Sequence, residues 1–170
     1  MRRSARCRVS SATSHSSNME CVILIGMPAA GKTSFYHERF AGTHDLVSKD
    51  RMRNVRNPQK RQEALVAEAF SAQRSVVVDN TNASAAVRAP LIALARAHGA
   101  DVVGYYFPTE AADALRRNRI RKGRERVPDI AIFAIRKRLE PPTLSEGFDR
   151  LFVVQMNEEE RRFEILSSIA

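Results

Sequence analysis

Short apolar runs alternate with longer amphipathic stretches along this chain. The runs at residues 20–25, 46–48, 76–78, 101–107 and 151–154 are rich in Val, Ile, Leu and aromatic side chains. Several of them are nearly continuous, which is typical of strands that are covered on both faces, as in a parallel sheet. We therefore predict five short buried strands.

The intervals between these runs carry helical patterns. Pro58 starts one helix, and Gly99 closes another as a C-cap residue, while Pro90 inside the latter predicts a kink or a late start. The predicted helices span about 31–40, 58–71, 84–98, 109–121 with Thr109 as its cap, and 128–139, and a peripheral helix is predicted from Glu158. Strands separated by helices predict an α/β protein with a parallel sheet that is flanked on both faces.

A phosphate-binding loop follows the first strand. Residues 26–33 read GMPAAGKT and match the pattern G-x-x-x-x-G-K-[ST] between a strand and a helix. Its glycines let backbone N–H groups point at phosphate oxygens, its lysine supplies a positive charge, and its threonine offers a hydroxyl to Mg²⁺. The predicted ATP-binding residues of the loop are Gly26, Met27, Pro28, Ala29, Ala30, Gly31, Lys32, Thr33 and Ser34.

Acidic side chains follow the second and third strands, at the edge of the sheet where ligands bind. Asp50 is the candidate base for a hydroxyl acceptor, and Arg53 would share its face if the segment is helical. Asp79, which ends the VVVD run, is a candidate for Mg²⁺ binding through water or for orienting the acceptor. Asn82 is a further candidate for substrate binding. The alternatives are an N-cap role for Asp50 and an Asx-turn at Asp79 or Asn82.

Residues 116–126, RRNRIRKGRER, form the most basic segment of the chain. Arg117 and Arg121 are spaced i, i+4 and are predicted to lie on one helical face. Gly123 and the helix that starts at Pro128 complete a helix–loop–helix that could fold over the site. Arginines on such a lid can neutralise the charge of a transferred phosphoryl group. The alternative is a solvated charged surface.

Composition narrows the class of protein. A chain of 170 residues, 44% of them hydrophobic, suits one domain with a core, and its net charge of +9 favours polyanionic partners such as nucleic acid. An Arg-rich composition without functional meaning is the alternative. No apolar run approaches the roughly 18 residues that span a bilayer, so we expect a soluble protein without a membrane partner.

The first eighteen residues contain four arginines and no acid, so +5 of the charge belongs to the rest. We expect residues 1–18 to be a disordered or artefactual extension ahead of Met19, and residues 19–170 to be the folded domain. An organellar transit peptide stays open as an alternative. The two cysteines, Cys7 and Cys21, form no disulfide framework, which favours a reducing compartment and a cytoplasmic location.

The segments GMPAAGKT, VSKDRMR, VVVDNTN, GYYF, RRNRIR, RVP and EGFD occur in this order. In this combination the chain resembles the polynucleotide 5′-hydroxyl kinase domain of phage and animal end-repair enzymes. It also resembles small stand-alone bacterial AAA-type ATP-binding proteins of that group. The resemblance covers about residues 20–155. It implies a P-loop NTPase fold, a three-layer α/β/α sandwich with strand order 2-3-1-4-5, and a lid at about residues 117–138.

The resemblance also implies a role for each candidate residue. Lys32 and Thr33 would bind ATP·Mg²⁺, and Asp50 would be the general base on the 5′-hydroxyl. Lys32, Asp50 and Arg121 are the predicted catalytic residues. On the acceptor side, Asp50, Arg53, Asp79 and Asn82 are the predicted substrate-binding residues, and on the lid Arg117 and Arg121 are the predicted contacts of the ATP phosphates.

Three functions agree with these observations. The first is an ATP-dependent kinase that phosphorylates the 5′-hydroxyl of a nucleic acid end. The second is the same transfer to a small metabolite, for which a closed pocket would be expected instead of an open basic channel. The third is an ATP-binding switch protein with little transfer activity.

Overall fold

A six-stranded sheet forms the centre of the part of the chain that the structure describes. The computed structural model describes residues 19–52, 54–157 and 162–168. The strands are β1 (Glu20–Gly26), β2 (His44–Val47), β3 (Ser75–Asp79), β4 (Asp101–Phe107), β5 (Arg150–Asn157) and β6 (Arg162–Ser168). They lie in the order β2-β3-β1-β4-β5-β6, in which the first five are parallel and β6 pairs antiparallel with β5.

Helices cover both faces of this sheet. They are α1 (Lys32–Arg39), α2 (Pro58–Ser71), α3 (Ala85–Ala97), α4 (Ala111–Ile120) and α5 (Asp129–Arg138). Successive side chains of β1 point to opposite faces, so Ile23 packs with residues of α2 and α3, while Val22 and Leu24 pack with residues of α1. The α/β/α sandwich is confirmed. Among the described residues, none of the helices has the length and apolar character needed to cross a bilayer.

The buried centre of the sheet includes a cysteine. Cys21 lies on β1 and is fully buried, as the sequence predicts for the first strand. Burial raises the pKa of its thiol to about 12, because the thiolate would lose its hydration. The thiol is therefore protonated at neutral pH and has no nucleophilic role.

The strand order 2-3-1-4-5 is confirmed, but the prediction of five strands and a helical tail is wrong. Part of the predicted tail helix, residues 162–168, forms β6; residues 158–161 lie outside the described residues. Phe163 of β6 is buried and its ring contacts those of Phe35 and Phe107. Pairing with β5 and burial of this ring decide the local conformation, since strand formation depends strongly on tertiary context.

Two helix boundaries also differ from the predictions. Helix α3 begins at Ala85, five residues before Pro90, so the proline does not mark a late start. Helix α4 begins after Glu110 and not after Thr109, and it ends at Ile120. Arg121 has an extended backbone and therefore does not continue the helical face of Arg117.

A buried ion pair joins α3 to the segment that follows α5. Arg88 is fully buried, and its Nε and Nη2 donate to the Glu146 carboxylate over 2.7 and 2.8 Å. Its Nη1 donates to the carbonyl oxygens of Asn82 at 2.9 Å and of Glu140 at 3.2 Å. One guanidinium group therefore connects the loop after β3 with both ends of the segment between α5 and β5. Arg88 is not among the residues predicted from the sequence, where its only signal is a charged side chain within an apolar run.

We predict that Glu146→Ala destabilises the fold strongly, because it leaves the Arg88 charge buried without a counter-ion. Removing one partner of a buried pair costs about 3–5 kcal/mol. The measurement is the free energy of unfolding in urea. Glu38→Ala is the matched control, since Glu38 pairs with Arg39 on an exposed surface and its loss should cost about 0–1 kcal/mol. Equal effects of the two substitutions would contradict this interpretation.

Candidate active site

The phosphate loop lies between β1 and α1, as the motif requires. Gly31 has φ +96°, in the left-handed region that favours glycine, and α1 begins at the next residue. A Cβ atom at Gly31 would lie 2.9 Å from Cε1 of Phe163. Strand β6 therefore packs against the phosphate loop at Gly31. This close contact is a second reason for a glycine at this position.

Lys32 is buried at the mouth of the loop. Its ammonium group donates to the carbonyl oxygens of Gly26 at 2.9 Å and Met27 at 2.7 Å. Burial lowers the pKa of the ammonium group to about 8, although the nearby Asp79 carboxylate acts in the opposite direction. Gly26 and Met27 thus hold the lysine, whereas Pro28 to Ser34 line the open side of the loop.

Thr33 and Asp79 meet beside this lysine. The Thr33 hydroxyl donates to Oδ2 of Asp79 over 2.6 Å, and the Asp79 side chain is largely buried at the end of β3. A hydroxyl and a carboxylate are the hard oxygen ligands that Mg²⁺ prefers in P-loop proteins, either directly or through water. The two residues therefore fit the predicted magnesium site.

Asp50 lies in a single 3₁₀ turn, Lys49–Arg51, that follows β2. It lines the same cleft as Lys32, Thr33 and Asp79. The predicted alternative, an N-cap for a helix over residues 51–57, is wrong because residues 54–57 form no helix and Ser48 precedes the short turn. Arg53 lies outside the described residues.

Two amide side chains, those of Asn80 and Gln62, hold the Asp50 turn in place. Oδ1 of Asn80 accepts the backbone N–H of Lys49 at 2.9 Å, and its Nδ2 donates to Oε1 of Gln62 at 2.6 Å. Gln62 is itself buried within α2. The loop after β3 therefore connects the carboxylate turn to the core through a chain of hydrogen bonds. A polar residue within the buried stripe of α2 is the only sequence signal for Gln62.

Asn82 joins the ends of β1 and β3. It is buried, has φ +45°, and its Nδ2 donates to the carbonyl oxygens of Leu24 at 2.7 Å and Val78 at 3.3 Å. Its Oδ1 is buried without a hydrogen-bond partner among the described residues, and the residue lines the cleft. The structure thus gives the Asn82 amide nitrogen a structural task, and substrate binding by this residue stays a prediction.

Of the two arginines of the predicted lid, Arg121 lines the cleft and Arg117 does not. Arg121 is the first residue after α4, has an extended backbone and lines the cleft. Its Nη1 donates to the carbonyl oxygen of Glu125 at 3.4 Å. Arg117 lies half-buried on α4 and is not among the residues that line the cleft. The prediction that both arginines share a helical face is wrong, because α4 ends between them.

The cleft encloses about 1010 Å³. Its polar lining comes from the phosphate loop, the Asp50 turn and the residues after β3. Its apolar lining includes Val87 of α3 and, in the predicted lid, Val127 and Ile135. The cleft brings the carboxylates of Asp50, Asp79 and Glu125 together with the buried Lys32 and with Arg121 around a single space that is large enough for a nucleotide and an acceptor.

The sequence over residues 21–142 matches a family described as an AAA domain. The chain belongs to this family. With the nucleotide-binding loop, the lid and the strand order described above, it is a P-loop kinase domain similar to those of polynucleotide kinases. It is 26% identical over 137 residues to the bifunctional polynucleotide phosphatase/kinase of Schizosaccharomyces pombe, covering 78% of this chain. The chain spans about one third of that relative, 33% of its length.

Solved structures share the fold of this P-loop kinase domain. One comes from the PezAT chromosomal toxin–antitoxin system of Streptococcus pneumoniae, with a TM-score of 0.66 at 17% identity, covering 90% of this chain and 72% of that one. Another is a sugar kinase from Janibacter sp. HTCC2649, with a TM-score of 0.61 at 15% identity, covering 81% and 85% of the two chains. At these identities the likeness concerns the fold alone.

We predict that Gly31→Ala weakens ATP binding about tenfold or more. The new methyl group would clash with Phe163, and alanine would have to adopt the left-handed backbone of Gly31. Keeping the loop in place would then cost about 1–3 kcal/mol, and otherwise the loop would shift. The measurement is the Kd of ATP by isothermal titration calorimetry. Gly42→Ala is the control, because a Cβ there meets no atom within 4 Å. ATP affinity that is the same in both variants would count against the role of Phe163 and Gly31.

Proposed function

We propose that this P-loop kinase domain transfers the γ-phosphate of ATP to a hydroxyl group, most specifically the 5′-hydroxyl of a polynucleotide. The observation that carries the proposal is the meeting of Asp50 with Lys32, Thr33, Asp79 and Arg121 around one cleft. Nucleotide binding alone needs the loop and its cation. A carboxylate on the far side of the phosphates is what a hydroxyl acceptor needs in addition.

The donor half of the reaction uses the loop and the lid. Backbone N–H groups at the start of α1 would bind the phosphate oxygens, and Lys32 would exchange its bonds to the Gly26 and Met27 carbonyl oxygens for the β- and γ-phosphates. Thr33 and Asp79 would hold Mg²⁺, which when bound neutralises phosphate charge. Arg121 would approach from the lid and stabilise the charge that spreads over the transferred group.

The acceptor half uses Asp50. The acceptor oxygen forms a bond to the γ-phosphorus, while the bond from that phosphorus to the bridging oxygen breaks and ADP leaves. The acceptor proton passes to the Asp50 carboxylate and then to solvent. The hydrogen bond from the Lys49 N–H to Asn80 fixes the turn that carries this carboxylate. Proper positioning of base and phosphate is the main protein contribution in this chemistry.

Two observations support a polynucleotide acceptor. The relative from Schizosaccharomyces pombe, which this chain matches over 78% of its own length, is named a polynucleotide phosphatase/kinase. The net charge of +9 favours a polyanionic partner. A small metabolite remains the second candidate, because the donor side of the cleft would be the same for either acceptor.

We predict that Asp50→Asn lowers kcat about 10²- to 10⁴-fold while the Kd of ATP changes little, because the amide cannot accept the acceptor proton. The measurement is the transfer of labelled γ-phosphate to a 5′-hydroxyl oligonucleotide, with ATP affinity determined in parallel. Lys32→Ala should weaken both ATP binding and transfer.

Different results would favour the two alternatives, a small-metabolite acceptor and an ATP-binding switch. A native protein that labels a sugar or nucleoside but no oligonucleotide would replace the polynucleotide by a metabolite. A cellular activity that survives Asp50→Asn but is lost in Lys32→Ala would show that ATP binding matters and transfer does not. Unchanged kcat in Asp50→Asn would contradict the proposed base.

A further inference from the structure

Most of the net positive charge of the chain lies in one segment. Residues 116–138, from the last turns of α4 to the end of α5, contain ten Arg and Lys residues but only two acids, Glu125 and Asp129. This segment therefore has a net charge of +8, whereas the whole chain has +9. An arginine excess that reflects composition alone would be distributed over the chain. The concentration on the lid indicates a local electrostatic function.

The lid has two distinct faces. On α5, Ile132 is buried, Ile135 lines the cleft and Leu139, just beyond the helix, packs with them, at spacings of three and four residues that define the inner face. Ile130 and Phe133 lie on the other side and are exposed to 80% and 47%. This apolar outer stripe has no partner among the described residues that would cover it.

A further exposed apolar side chain lies at the end of α4. Ile120 at the end of α4 is exposed to 74%. Asn118 exchanges two hydrogen bonds with Val127, and Arg119 reaches Asp129 at 3.9 Å, so the end of α4 lies beside the start of α5. The outer lid face is defined here as Arg119, Ile120, Ile130, Phe133 and Lys137. It combines basic and apolar side chains, and Asp129, the partner of Arg119, lies beside it.

We propose that the outer lid face binds the nucleic acid strand of the acceptor, several nucleotides beyond the 5′ end that enters the cleft. The inference rests on the proposed polynucleotide kinase function. Arg119 and Lys137 would contact phosphates, while Phe133 and the two isoleucines would pack against bases, which is the usual combination for single strands. A helix is about 10–12 Å wide, so a strand that leaves the cleft reaches this face after passing one helix of the lid.

Charge favours a nucleic acid over other occupants of this face. A polyanion meets the +8 of the lid with a repeated negative charge, whereas a protein partner would have to supply an unusually acidic surface. An anionic membrane is negatively charged like a nucleic acid. A strand whose 5′ end lies in the adjacent cleft, however, is already next to the lid. Binding to a protein or a membrane in place of nucleic acid is therefore an outcome that the experiment must detect.

The experiment compares a long and a short acceptor in the full chain. Lys137→Glu and Phe133→Ser are the test variants, and Arg39→Glu is the control with the same charge change, because Arg39 lies at the end of α1 that is remote from the phosphate loop. We expect KM for a 20-nucleotide 5′-hydroxyl oligonucleotide to rise roughly fivefold or more in both test variants. KM for a nucleoside 3′-monophosphate and for ATP should stay unchanged.

Salt dependence adds an independent readout. The slope of log Kd of the 20-nucleotide strand against log salt should decrease by about 0.7 for each phosphate contact that is lost, and Lys137→Glu should show this decrease while Phe133→Ser should not. Thermal unfolding of all variants verifies that the fold is intact. A rise in KM that is the same for the long and the short acceptor, or no rise at all, would overturn the proposal.

Failure of the proposed function gives a different result. If the native protein phosphorylates neither acceptor, the Kd of a fluorescent 20-nucleotide strand is measured directly by anisotropy. Weaker binding in Lys137→Glu and Phe133→Ser, but not in Arg39→Glu, would support the surface without the kinase function. No binding of the strand, or binding of the face to phosphatidylserine vesicles or to a protein in its place, would overturn it.

Discussion

The parallel pairing of β1 with β3 is the constraint on which the rest of the site depends. Leu24 lies opposite Asp79 in this register, so the phosphate loop and the carboxylate that follows β3 leave the sheet side by side. The loop is tied across this junction by the bond from the Gly26 N–H to the Thr81 carbonyl oxygen at 3.1 Å. Asn82 adds bonds to the ends of both strands. The contact between Thr33 and Asp79 is a direct consequence of this register.

Buried polar groups extend this junction to the acceptor side and to the lid. Asn80 and Gln62 connect it to the Asp50 turn, and Arg88 connects it to the segment that follows the lid. Gln62 and Arg88 are buried and Asn80 is partly buried, and buried polar groups are stable in a core only when their hydrogen bonds are made. Residues 80–82 therefore link the phosphate loop, the Asp50 turn and the segment that follows α5 through contacts whose loss costs stability.

Family membership and surface charge bear on different aspects of the function. The match to the AAA domain family and the P-loop kinase fold concern the nucleotide and the type of reaction. The fold is shared with a sugar kinase, so the acceptor depends on surfaces outside the phosphate loop. In this chain the positive charge is concentrated on the lid, next to the cleft, while the remainder is nearly neutral. We therefore propose that electrostatics contributes to acceptor choice at the lid more than at the sheet.

The sequence by itself determined the α/β class, the five parallel strands, the phosphate loop and the acidic residues at the strand ends, because apolar runs and glycine spacing act locally. The tertiary structure decided three further features. Residues 162–168 form a strand because the ring of Phe163 packs against those of Phe35 and Phe107, which are distant in the sequence. Arg121 reaches the cleft and Arg117 does not, because α4 ends at Ile120. The hydrogen bonds of Arg88, Gln62 and Asn80 form only when the loop after β3 is packed between helices. No local sequence pattern encodes which partner a buried polar side chain will contact.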